Sequence, residues 1–116
     1  MGLRTFAAAA LTAAAVLSGA LAACGDAVAQ DVATGRRKAS ACQACHGLDG
    51  IAKLPDAPNL AAQPASYLER ELRAYRAGTR RSEVMAVAAK GLSDDDIREL
   101  AAYYSAIQIE VKAVPQ

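Results

Sequence analysis

Aromatic side chains and histidine are scarce in this chain. Among its 116 residues there is no tryptophan, one phenylalanine, one histidine and three cysteines. A single histidine excludes any site built on two imidazoles, and three cysteines are too few for the four thiolates that an iron–sulfur cluster requires. A small domain with so few large apolar side chains also buries too little surface to be stable without further support. Something other than its own side chains therefore has to complete the core.

An excess of charge of either sign is also lacking. The 13 lysines and arginines are matched by 12 aspartates and glutamates, which gives no basis for nucleic-acid binding or for a polybasic membrane-binding face. No segment alternates strictly enough between apolar and polar residues, or is rich enough in β-branched residues, to predict a strand. The chain therefore divides into predicted helices and loops.

The N-terminal segment has the composition of a targeting sequence. Arg4 precedes an alanine-rich apolar run from Phe6 to Ala23, which is the arrangement of an export signal. A retained membrane helix is the alternative, but the run is at the lower length limit for a span and alanine makes it weakly hydrophobic. We expect residues 1–29 to be the export signal and residues 30–116 to be one domain, located in the periplasm.

Cys24 gives this signal two alternative ends. The sequence LAAC, which finishes at Cys24, resembles a bacterial lipobox, in which the cysteine becomes a lipidated N-terminus that tethers the domain to the membrane. Cleavage after the A-x-A sequence at residues 27–29 would instead discard Cys24 and release a soluble protein that starts at Gln30. A spare thiol in a cysteine-poor chain favours the lipoprotein, and the sequence leaves the alternative open.

Glycine, proline and charge delimit the helices that follow. The predicted helices ahead of the last one cover residues 34–44, 64–78 and 83–89. A basic cluster at residues 36–38 is expected on the exposed side of the first of them. Residues 47–63 hold two glycines and two prolines and form a long loop. Pro64 can open the next helix at its first position, and Gly78 is its natural end.

The last helix is the best-defined element of the sequence. Ser93 is the predicted N-cap, and three aspartates at residues 94–96 fill a solvated first turn, where the helix dipole favours anions. Ser93 and Asp96 have the spacing of a capping box. The apolar face of this helix is formed by Ile97, Leu100, Ala101 and Tyr104.

Residues 41–47 read ACQACHG and place the only histidine directly after two cysteines three positions apart. A zinc site would need a fourth ligand, and the adjacent Cys45 and His46 cannot easily both reach one tetrahedral ion. A thioredoxin-like pair would need a βαβ framework, and a plain disulfide leaves the histidine unexplained. Cys-x-x-Cys-His is, by contrast, the covalent attachment signature of c-type haem.

One helical turn explains why this motif suits a haem. Cys42 and Cys45 lie one turn apart, so both sulfurs can reach the two vinyl groups on one edge of the porphyrin, and His46 then lies beneath the iron as a ligand. A single haem c would also supply the large flat apolar surface that the core lacks.

Three segments resemble the short class I bacterial cytochromes c, namely CQACHGLDG, APNLAAQPASYLERELRAYRAGTRR and MAVAAKGLSDDDIRELAAYYSAI. The resemblance runs from about Gly35 to Ile107. It implies an all-α fold of about four helices wrapped round one haem, with the N- and C-terminal helices crossing. It also implies that the carbonyl of Pro58 accepts a hydrogen bond from Nδ1 of His46 and so fixes the imidazole.

Met85 is the predicted sixth ligand of the iron. The chain has only one other methionine, Met1, which leaves with the signal, and a lysine ligand such as Lys90 would first have to lose its proton. Methionine ligation opposite a histidine raises the reduction potential of a haem. No proline follows Met85, which departs from the family pattern. The nearby Arg80 and Arg81 either meet the haem propionates or form a solvated charge pair.

A haem closed on both sides by protein ligands has no position for a substrate. We therefore expect an exported electron carrier, not an enzyme, whose iron cycles between Fe(III) and Fe(II) and whose redox partners are proteins. It would be a monomer, or a haem subunit of a periplasmic complex with a flavoprotein sulfide dehydrogenase or a quinoprotein dehydrogenase. A gas sensor or peroxidase with an open distal side is a third alternative.

Overall fold

Helices and loops make up the described part of the chain. The computed structural model describes the backbone of residues 13–116, and the exposure of residue 25 and of residues 27–116. The helices have these bounds: α1 Ala13–Lys38, α2 Gln43–His46, α3 Ala65–Ala77, α4 Glu83–Ala89 and α5 Asp94–Ala106. A 3₁₀ turn, Ala39–Ala41, separates α1 from α2. Since residues 13–116 contain no strand, the all-α prediction is confirmed. The four-residue α2 makes five helices where about four were expected.

Helix α1 differs most from its prediction. It runs without a break through residues 29 and 30 and ends at Lys38, where three basic residues face the negative end of the helix dipole. The predicted continuation to Ala44 is wrong, because the chain tightens into the 3₁₀ turn and restarts as α2. Residues 1–12 of the expected export signal lie outside the described residues. From residue 13 onward, no helix is both long enough and apolar enough to cross a membrane.

Helices α1 and α5 cross at close range, and Gly35 lies at the contact. A Cβ atom on Gly35 would overlap the main-chain carbonyl of Glu99 and would lie 2.8 Å from Cβ of Tyr103. Any larger residue would therefore push the two helices apart, because a packed interior has no room for an extra carbon. The crossing of the terminal helices, which the resemblance implied, is confirmed.

Lys38 links the same two helices by charge. Its Nζ pairs with the carboxylates of both Asp96 and Glu99 on α5. The prediction that Lys38 belongs to an exposed basic cluster is wrong, because this pairing leaves its side chain only 35% exposed. Asp96 is likewise paired, whereas it was expected to be simply solvated. The Lys38 ammonium, followed by hydrogen bonds from Ser93, lowers the pKa of Asp96 to about 2.

The core lies between the crossing helices and α3. The buried residues of α5 are Ile97, Leu100, Ala101 and Tyr104. This is the face predicted from the sequence, and most of it packs against Ala39 of the 3₁₀ turn and Leu68 of α3. Among the described residues, Ile97 is the one large side chain that is wholly buried. The core is therefore small, as the composition indicated.

The predicted helix ends are close to those observed. Gly78 ends α3 in the left-handed conformation at φ 75°, which favours glycine because it has no Cβ. Ser93 and Asp96 form the reciprocal hydrogen bonds of a capping box. Pro64 is the N-cap of α3 and not its first helical residue, which shifts that prediction by one position. These local signals set where α3 ends and where α5 begins.

Candidate haem-binding site

Helix α2 presents the two cysteines and the histidine together. Cys42 is its N-cap and His46 its last residue, and the His46 amide donates to the Cys42 carbonyl over 2.9 Å. The thiols of Cys42 and Cys45 are both free and half-buried. Burial, followed by the neighbouring Cys45, raises the pKa of the Cys42 thiol. Two free thiols one helical turn apart are the groups that add to the two vinyl substituents on one edge of a porphyrin.

His46 is buried and oriented by one hydrogen bond. Its side chain is 7% exposed, and Nδ1 lies 2.9 Å from the carbonyl oxygen of Pro58. A carbonyl can only accept, so Nδ1 carries the proton and donates it. In a neutral imidazole Nε2 is then the nitrogen with a free lone pair, which is the form that binds a metal.

The loop over residues 47–63 is folded back on itself to bring Pro58 to the histidine. The carbonyl of Gly50 accepts from the amides of Leu60 and Ala61 over 2.8 and 3.1 Å. The side chain of Asn59 accepts from the amide of Ala52 over 2.7 Å. Lys53 donates its amide to the carbonyl of Cys45 over 2.8 Å, which ties the loop to α2.

Two tyrosines of α5 hold the start of this loop. The hydroxyl of Tyr103 donates to the carbonyl of Leu48 over 2.6 Å, and that of Tyr104 donates to the carbonyl of Gly47 over 3.2 Å. Burial raises the pKa of Tyr104, so its hydroxyl stays protonated. The sequence pattern places Tyr104 on the apolar face and does not reveal this polar role. The signal available in the sequence for this role was that two of the chain's four tyrosines are adjacent.

Met85 lies on a different element from the other predicted ligands. It is half-buried in α4, a helix that packs on α3. Ser82 is the N-cap of α4, and its hydroxyl accepts from the amide of Met85 over 3.2 Å. The structure thus groups Cys42, Cys45, His46 and Pro58 at α2 and holds Met85 separately, through α3. Arg80 donates to Glu71 over 2.7 Å, while Arg81 is exposed.

These residues fit a haem in both donor chemistry and apolar lining. Thiols, a neutral imidazole and a thioether are the groups that attach and ligate haem c. Several large apolar side chains beside the small core keep an uncovered side: Leu48, Leu60, Tyr67, Leu72 and Leu92. Ile51 and Leu54, in the loop that follows the histidine, are 43% and 50% exposed. A large flat apolar group among such side chains would bury surface that they cannot bury among themselves.

Comparisons with known proteins agree with this chemistry. The family described as Cytochrome c matches residues 32–107. Cytochrome c-554(548) of Halomonas halodenitrificans is 49% identical over 80 residues, which cover 66% of this chain and 96% of that protein. A thiosulfate dehydrogenase electron acceptor of Stutzerimonas stutzeri is 39% identical over 67 residues, covering 55% and 31% of the two chains.

The fold has a solved counterpart in the same family. The reduced recombinant cytochrome c4 of Pseudomonas stutzeri superposes with a TM-score of 0.61 at 34% identity, over 65% of this chain and 44% of that one. The chain thus spans less than half the length of cytochrome c4 and of the thiosulfate dehydrogenase acceptor, but nearly all of cytochrome c-554(548). From the family match, the shared fold and the Cys42-x-x-Cys45-His46 motif, we conclude that this chain belongs to the cytochrome c family, binds haem c covalently and transfers electrons.

Proposed function

We propose that this protein is a mono-haem cytochrome c that carries one electron at a time between periplasmic redox proteins. Cys42 and Cys45 would form the two thioethers, and His46 Nε2 and Met85 Sδ would ligate the iron. The observation that carries this proposal is the hydrogen bond between His46 Nδ1 and the Pro58 carbonyl. It commits one ring nitrogen and leaves the other for iron. The chain has one histidine and one Cys-x-x-Cys-His motif, which supports a single haem.

The chain's own residues would tune the site for electron transfer. A haem c supplies a one-electron Fe(III)/Fe(II) couple. The Pro58 carbonyl, by accepting from Nδ1, orients the imidazole of His46 and increases its basicity. A thioether from Met85, ligating the same iron as His46, would raise the reduction potential and leave no position for a substrate. This is why a carrier suits the residues better than a peroxidase or a gas sensor.

The assignment of Met85 is tested by spectroscopy on the oxidised holoprotein. We expect the weak charge-transfer band near 695 nm that this ligation gives in the family, and we expect its loss in Met85→Ala together with a lower reduction potential. Reduced wild-type protein should bind no carbon monoxide at neutral pH, whereas the variant should bind it. A wild-type protein without the band, or a variant that keeps both band and potential, would show that Met85 only fills space.

Two locations follow from the two ends of the export signal. We propose a periplasmic protein tethered through Cys24, because LAAC resembles a lipobox and several acyl chains bind a membrane stably. Mass spectrometry of the mature N-terminus decides between the two ends. A lipidated Cys24 supports the tether, and a chain that starts at Gln30 refutes it.

A permanent subunit of an oxidoreductase is the second candidate. Its support is the relative named as a thiosulfate dehydrogenase electron acceptor, which links a cytochrome of this family to a dehydrogenase. Native purification separates the two roles. A free carrier elutes at monomer size, whereas a subunit co-elutes with a flavin- or quinone-containing enzyme.

A further inference from the structure

The short segment that carries Met85 has little packing of its own. Helix α4 has seven residues, and Ala89 is its only buried one. Val84 and Val87 on either side of Met85 are 70% and 79% exposed. Helices this short are unstable in isolation. Contacts with the rest of the protein must therefore hold the segment in place.

Arg80 fastens the start of this segment to α3. Its Nη1 donates to Oε2 of Glu71 over 2.7 Å, and its guanidinium carbon lies 4.8 Å from the ring centre of Tyr75. The amides of Thr79 and Arg80 both donate to the carbonyl of Ala74, over 3.0 and 3.2 Å. The guanidinium thus makes an ion pair and a cation–π contact with the same helix.

Arg76 fastens the end of the segment to the same helix. Its Nη1 donates to the carbonyl of Leu92 over 2.8 Å, and its Nη2 donates to Oδ1 of Asp94 over 2.6 Å. The first bond holds the main chain between α4 and α5, and the second holds the first turn of α5. The side chain of Arg76 is 30% exposed, so its bonds are partly shielded from solvent.

We propose that Arg76 and Arg80 are positioning residues that clamp both ends of the Met85 segment, residues 79–93, onto α3. The inference rests on the proposed ligation by Met85. A segment held at both ends keeps the thioether in place, whereas a segment free at one end lets it leave the iron more often. Arg76 and Arg80 act on Met85 through the main chain and touch no reacting atom.

The test compares three variants of the holoprotein. Arg80→Gln removes the side-chain contacts at the start of the segment, and Arg76→Gln removes those at its end. Arg70→Gln is the matched control, because Arg70 donates to the same Glu71 over 2.9 Å and lies 5.2 Å from the ring centre of Tyr67. It makes these contacts within α3 and so does not reach the segment. The three changes remove the same charge from neighbouring surface.

The main measurement is the rate at which imidazole displaces Met85 from the oxidised protein, read at 695 nm. Loss of an exposed ion pair and of the stacking on a ring corresponds to a displacement rate that is about threefold to tenfold higher. We expect that acceleration in Arg80→Gln and at least as much in Arg76→Gln. Arg70→Gln should match the wild type. The far-UV circular dichroism melting temperature should fall no further in the clamp variants than in the control.

Hydrogen exchange measured by mass spectrometry tests the clamp without reference to the iron. Amides of residues 79–93 should exchange faster than in the wild type in Arg76→Gln and Arg80→Gln. In Arg70→Gln they should exchange at the wild-type rate. Equal effects in all three variants, or a fall in melting temperature that accounts for the faster displacement, would overturn the clamp. A wild-type protein without the 695-nm band would refute Met85 ligation instead. Exchange that stays unchanged in both clamp variants would refute the clamp itself.

Discussion

Replacing Asp96 by asparagine should destabilise the folded protein at neutral pH and have little effect at pH 2. The pKa of Asp96 is lowered from its ordinary value of 3.8 to about 2, mainly by Lys38. Such a shift corresponds to at most about 2 kcal/mol in favour of the folded state. The side chain is 27% exposed, and solvent screening reduces this value, so we expect a loss of about 1–2 kcal/mol.

The direction of the pH dependence follows from the lowered pKa. A carboxylate whose folded-state pKa is depressed stabilises the fold above its unfolded pKa, near pH 4, and loses that contribution as the pH falls towards 2. At pH 2 the difference between wild type and Asp96→Asn should be below about 0.5 kcal/mol. Asparagine keeps an oxygen that can accept from the amide of Ser93, so the capping box survives.

Urea denaturation of the holoprotein at pH 7 and at pH 2, followed by far-UV circular dichroism, measures both differences. Asp95→Asn is the matched control. Asp95 lies in the same helical turn and pairs only with Arg98 among the described residues, and its side chain is 73% exposed, so its loss should cost under about 0.5 kcal/mol. Effects of low pH that do not involve Asp96 are common to the wild type and both variants, and they cancel in the differences. Equal losses at the two pH values would refute the role assigned to the Lys38–Asp96 pair.

Two further changes test the packing around the site. Gly35→Ala should lower the free energy of unfolding, measured in urea, by about 1–3 kcal/mol or more, because its Cβ would overlap the carbonyl of Glu99. Gly91→Ala is the control and should leave the stability almost unchanged, because nothing lies within 4 Å of the added atom. Similar losses at the two sites would contradict the crossing geometry. Tyr104→Phe should cost about 1 kcal/mol, because it removes one of the two hydrogen bonds that the Gly47 carbonyl accepts and leaves only the one from the amide of Gly50. A variant as stable as the wild type would show that the tyrosine bond is unimportant.

Local signals in the sequence predicted most of the second half of the fold. Gly78 ends α3 because glycine adopts the left-handed conformation at no cost. Ser93 and Asp96 start α5 because their side chains satisfy amides one turn away. Such effects depend on residues a few positions apart, so a sequence displays them directly.

Contacts between distant elements were the part that the sequence concealed. Lys38 was placed on an exposed face because nothing near it in sequence indicates Asp96 and Glu99 on α5. The sequence offers Arg80 only as a partner of the haem propionates or as a solvated charge, and nothing near Arg76 in the sequence indicates its bonds to Leu92 and Asp94. The haem-binding residues at α2 could be recognised from the sequence because they are close together in it. The loop that brings Pro58 to His46 could not, because it is held by hydrogen bonds from tyrosines of the distant α5.

The crossing of α1 and α5 also sets the order in which the domain can form. Lys38 and Glu99 are 61 positions apart, so a growing chain exposes α1 and the Cys42–His46 motif long before it produces the helix that covers them. Closing so long a loop comes late in folding, because its entropy cost precedes any stabilising contact. During that interval Cys42 lacks the packing against the core that half-buries it in the folded domain. The last helix to be synthesised, α5, thus ends this interval when it packs against α1.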